Sequence, residues 1–63
     1  MVEANIWVHT KDSQEFYKNE GEYFKIVYFS RSTRNGMCYF NIETSEENFT
    51  FLRLKYGEAI SKR

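Results

Sequence analysis

The chain has no proline, one cysteine, one histidine and three glycines in 63 residues. Each scarcity excludes something. Cys38 has no second cysteine, so no internal disulfide forms. With His9 as the only histidine, no Cys/His metal cage can form within one chain. Gly21, Gly36 and Gly57 stand apart, so no glycine-rich loop cradles a phosphate. Nine basic residues balance nine acidic ones. The surplus of Lys and Arg that non-specific nucleic-acid binding uses to displace counterions is therefore missing. No apolar run approaches bilayer length, and no membrane contact is expected. Met1-Val2-Glu3 does not open a secretory leader. A single free cysteine without an export signal points to a reducing, cytoplasmic setting. The lack of proline, beside abundant Phe, Tyr, Asn, Lys and Ile, would suit an AT-rich genome such as that of a phage or a low-GC bacterium.

Aromatic residues are plentiful, at 19% of the chain. They matter because a chain this short is one domain, spanning 1–63, and buries only about 60% of its unfolded surface. Small domains compensate with disulfides, metals, dense packing or self-association. The first two are excluded above. Aromatic packing and a homodimer remain.

Alternation marks the strands. Ala4, Ile6 and Val8 point one way, and Asn5, Trp7 and His9 the other. In Glu22–Ser30, Phe24, Ile26 and Tyr28 share one parity, and Tyr23, Lys25, Val27 and Phe29 the other. Asn35-Gly36 offers the positive φ that a tight hairpin needs. Met37–Glu43 returns as a strand, with Cys38, Phe40 and Ile42 on its apolar side. Residues 10–21 are polar and punctuated. They suit either one helical turn through Phe16 and Tyr17 or a short extended piece.

Thr44–Arg63 is the most legible stretch. Thr44 followed by Glu47 matches a capping box. Glu46 and Glu47 suit the positive end of a helix dipole, and Lys62 and Arg63 the negative end. Phe49, Leu52, Tyr56, Ala59 and Ile60 fall within about 100° at helical pitch. The rival is a strand over Phe49–Tyr56 stopped at Gly57. The capping pattern and the continuing apolar arc favour the helix. The expected fold is α+β: a three-stranded, or at most four-stranded, antiparallel sheet with a C-terminal helix packed on one face.

Chemistry is harder to find. Cys38 and His9 are the only nucleophile–base candidates, and alternation puts them on opposite faces. Glu46 and Glu47 are explained by the helix start. No cofactor, metal site or enzymatic activity is expected. One helix covers one face, so the other should carry Trp7, Tyr23, Phe29 and Tyr39, with Lys25 and Arg31 lending polarity. An apolar face of that kind meets something. The expected function is a small binding or regulatory protein acting through protein contacts, such as an inhibitor, an antitoxin or a phage-type host-interaction protein. The alternative is a single-stranded nucleic-acid binder that stacks bases on these rings, with Arg31, Arg34 and Lys25 holding phosphates. A second, smaller apolar pair, Phe51 and Leu54, lies on the helix back.

Overall fold

A computed structural model describes residues 1–32 and 36–63. Four antiparallel strands form one sheet in the order β2-β3-β1-β4. β1 is Val2–His9, β2 Phe24–Ser32, β3 Met37–Thr44 and β4 Ile60–Lys62. Helix α1, Ser13–Lys18, follows β1 through a 3-10 turn at Thr10–Asp12. Helix α2, Glu46–Tyr56, follows β3. No helix among the described residues is long and apolar enough to cross a membrane.

β1, β2 and β3 form where alternation predicts. β1 buries Val2, Ala4, Ile6 and Val8 while Glu3, Trp7 and His9 stay exposed. β3 contributes Cys38, Phe40 and Ile42 to the same side, each fully buried. The two strands pair along their whole length, from Val2 opposite Thr44 to His9 opposite Met37. β2 pairs with β3 as the expected hairpin, from Phe24 opposite Thr44 to Ser32 opposite Met37. Gly36 has φ +64°, the left-handed value that glycine adopts without steric cost. The rest of the predicted turn, residues 33–35, lies outside the described residues.

Both helices lie on one face of the sheet. α2 inserts Phe49 and Leu52 into the core. The undecided segment is helical: α1 drops Phe16 into the core beside it, 4.4 Å from Phe24 and 4.6 Å from Phe40 between ring centroids. Burying a ring of this size is the compensation for small size that the composition implied. Tyr56 closes the gap between the helices, edge-on to Phe16 at 5.9 Å.

Two features of the C-terminal stretch differ from the sequence reading. The helix is capped by Ser45, not Thr44: Ser45 Oγ accepts the Asn48 N–H at 3.0 Å. Thr44 is the last residue of β3, buried, and its hydroxyl donates to the Tyr23 carbonyl. The helix also stops at Tyr56. Gly57 takes φ +61°, and its N–H bonds the Arg53 carbonyl. That reversal sends Ile60–Lys62 back along β1 as a fourth strand. Ile60 is core because it lies opposite Ile6, not because it extends the helical arc. Lys62 accordingly sits at the opposite end of α2 from the one predicted, with Nζ 3.3 Å from Glu46 Oε2 in the helix's first turn. Both side chains are largely exposed, so the pair is worth no more than about 1 kcal/mol.

Candidate functional site

Among the described residues nothing covers the sheet face away from the helices, and β1 and β3 build its centre. Trp7 lies opposite Tyr39, with ring centroids 5.0 Å apart and planes tilted by 58°. This is within the range that aromatic quadrupoles favour. Tyr28 of β2 adds a third ring, edge-on to Tyr39 at 6.3 Å. Trp7 is 46% and Tyr28 58% exposed.

A polar floor holds these rings. Asn5 Oδ1 accepts from the Tyr39 hydroxyl at 2.8 Å and from Asn41 Nδ2 at 2.6 Å. Asn41 is 3% exposed although no helix covers it, so the side chains around it do the covering. Among the described residues no buried side-chain N or O lacks a partner. A tethered Tyr39 has little rotamer freedom left to lose when something docks on it.

Charge gathers at one end. Lys25 lies opposite Glu43, and Glu43 opposite Glu3. Two carboxylates directly across a ladder repel, and Lys25 on the far side of Glu43 offsets that repulsion.

The structure keeps Trp7, Lys25 and Tyr39 of the predicted face on it and moves the other three. β2 has a bulge: Ile26 lies opposite Ile42 and Tyr28 opposite Asn41, so Val27 is an extra residue. One inserted residue flips every later side chain to the other face. Phe29 therefore turns to the helix side, packing on Phe40 at 4.9 Å and edge-on to Tyr17 at 5.6 Å. Arg31 follows it, opposite buried Cys38. Tyr28, expected in the core, takes the open face. Tyr23 precedes β2 and stacks on Phe51 of α2 at 5.7 Å, also on the helix side. Parity could not reveal the bulge, because apart from Lys25 both parities of Tyr23–Phe29 are apolar or aromatic. The one available signal is chemical: Tyr28 has a hydroxyl that water can satisfy, and Phe29 has none.

A cleft of about 270 Å³ opens where the face ends, lined by Trp7, His9, Asp12, Glu15, Lys55 and Tyr56 among others. The Tyr56 hydroxyl is harder to ionise than an ordinary tyrosine, first through burial and then through the negative charges of Glu15 and Asp12. His9 is exposed, whereas Cys38 is fully buried with Sγ 3.7 Å from Thr10 Oγ1. The two do not form a nucleophile–base pair. Among the described residues no group of three His, Cys, Asp or Glu side chains could hold a metal ion. On the helix back Leu54 is 83% exposed, while Phe51 is engaged by Tyr23.

No protein-family model, curated protein or solved structure matches this chain.

Proposed function

We propose that this chain is a small non-enzymatic binding protein of the inhibitor, antitoxin or regulator kind, whose protein partner docks on the open sheet face. One observation carries the reading: Trp7, Tyr39 and Tyr28 form a contiguous, solvent-facing aromatic cluster on an internally satisfied polar floor. Interface centres are enriched in these residue types, and rigid rings bind at low entropic cost. The Glu3, Glu43 and Lys25 row at one end supplies a polar rim, with one more negative than positive charge. A partner with an apolar knob flanked by a basic residue fits it.

The same charges weigh against single-stranded nucleic acid. Arg31, one of the cations invoked for phosphates, is on the helix face, and two carboxylates share the open face, one row beyond Asn5 and Asn41. Arg34 lies outside the described residues. Weak binding to a mixed-sequence oligonucleotide, unchanged by Trp7→Ala, is expected. Tight, salt-dependent binding lost in that variant would favour the nucleic-acid reading instead.

The test of the main reading uses the only tryptophan as its probe. A host protein retained by the immobilised chain is identified, purified and titrated against it. Trp7 emission should shift with saturation. Trp7→Ala and Tyr28→Ala should each weaken binding by about 2 kcal/mol or more, as truncation at an interface centre does, with circular dichroism unchanged. Wild-type affinity in both variants would sink the proposal.

A further inference from the structure

The outer edge of β2 is finished over only part of its length, and the phase of the backbone bonding shows which part. The Thr10 N–H donates to the Gly36 carbonyl at 2.8 Å, extending the β1–β3 ladder by one pair. Even-numbered residues of β3 therefore bond β1, and Met37, Tyr39, Asn41 and Glu43 bond β2. Their partners are Ser32, Ser30, Tyr28 and Lys25. Apart from the bulged Val27, the remaining β2 residues, Phe24, Ile26, Phe29 and Arg31, aim their backbone groups outward. Two contacts confirm this phase: the Phe24 carbonyl accepts from the Gly21 N–H at 2.7 Å, and the Ile26 N–H donates to Glu20 Oε1 at 3.3 Å. Before the bulge the edge is thus closed. Beyond it, the backbone of Phe29 and Arg31 has no comparable partner among the described residues. Exposed rings flank this bare backbone: Tyr17 and Phe29 on one side, Tyr28 on the other.

Unpaired edges of this kind are templates for another strand. We propose that two copies of this chain pair there, β2 against β2, antiparallel about a twofold axis at Ser30. The sequence of the edge selects both the occupant and the register. An axis at Phe29 would set Arg31 against the bulge at Val27. An axis at Arg31 would set two guanidinium groups opposite each other. An axis at Ser30 sets Arg31 of each copy beside Phe29 of the other, both on the helix side, a cation against a ring face. The edge is complementary to itself in that register. Net charge does not oppose it, since the chain is neutral. A contact of this length is small and belongs with weak, concentration-dependent interfaces.

The axis is perpendicular to the sheet, so the two open faces lie side by side. Two four-stranded sheets become one, carrying two Trp7–Tyr39–Tyr28 clusters. A partner with two matching sites would gain avidity from that arrangement, although the pairing itself does not depend on the partner proposed above.

Sedimentation equilibrium of the full chain, from micromolar to millimolar concentration, should show the mass rising from 7.6 kDa towards twice that value. Ser30 pairs with itself across the axis at a non-hydrogen-bonded position, where Cβ atoms approach closely enough for a disulfide. Ser30→Cys should oxidise to a covalent dimer. Ser61→Cys, exposed on the opposite edge, should stay mostly monomeric under the same oxidant. Arg31→Pro removes an outward N–H that a free edge does not need; it should keep its circular dichroism and lose the concentration dependence. A monomer at every concentration overturns the proposal. So does a dimer in which Ser30→Cys cross-links no better than Ser61→Cys.

Discussion

Ser45 and Thr44 are adjacent, and either could cap a helix by type. What separates them is which one the sheet needs. Thr44 is the last paired residue of β3, opposite both Val2 and Phe24, so its hydroxyl is inside and bonds the Tyr23 carbonyl. Ser45 is the first residue free of the ladder, with φ −78° and ψ 160°, the extended geometry of a cap. Ser45→Ala should cost about 1 kcal/mol in denaturant unfolding by exposing the Asn48 amide to solvent without its cap. Thr44→Val keeps the volume but breaks the bond to Tyr23. Asn48 Nδ2 still donates to that carbonyl at 3.1 Å, so the loss should be about 0.5–1.5 kcal/mol. A silent Ser45→Ala beside a damaging Thr44→Val with lost helicity would restore Thr44 as the cap.

At the scale of elements, α2 was recognisable because its apolar period matches 3.6 residues per turn and its first turn is acidic. Its phase can be tested. Leu52 is 3% exposed and Leu54 83%. Leu52→Ala should cost about 2–5 kcal/mol by opening a cavity among Phe49 and the strand residues. Leu54→Ala should be nearly neutral, within about 0.5 kcal/mol. Equal costs for the two would mean that the helix faces the sheet differently. The end of α2 was less legible. A glycine inside an apolar helical arc can be tolerated, at about 1 kcal/mol relative to alanine, so Gly57 alone did not announce a reversal. Tertiary pairing decided it: Ile60 gains a place opposite Ile6, and β4 covers part of the β1 edge. The bulge in β2 has the same character. Apart from Lys25, both parities over Phe24–Phe29 are apolar or aromatic, so local pattern permits either face for Tyr28 and Phe29. Phe29 turns to the helix side because Phe40 and Tyr17 are there to pack against it.

Across the whole molecule, two helices share one face of the sheet and meet at Tyr56. Its hydroxyl is half-buried, and burial together with Glu15 and Asp12 raises its pKa above the ordinary 10.0. In the unfolded chain it titrates at that ordinary value. Below it both states are protonated, and the full contribution to stability is present. As pH rises past it, the unfolded state ionises first, and stability drains away until the folded-state pKa is passed. Denaturation midpoints should therefore hold steady to about pH 10 and fall above it. Tyr56→Phe should flatten part of that fall while leaving the neutral-pH fold intact. An identical alkaline profile in the variant would show that Tyr56 does not contribute to it.

By itself the sequence determined the class of the fold, the β2–β3 hairpin, the inward parity of β1 and β3, and the presence of the C-terminal helix. These follow from short-range periodicity, which each segment carries alone. It also placed Trp7 and Tyr39 on the free face, since both lie on strands whose alternation is unambiguous. Only the tertiary structure decided the rest: Ser45 as the cap, β4 after Gly57, Phe16 in the core, and Tyr28 in place of Phe29 on the open face. Each of those was a choice between locally equivalent options. The outcome depended on which partner residue, distant in sequence, was there to bury a ring or accept a hydrogen bond.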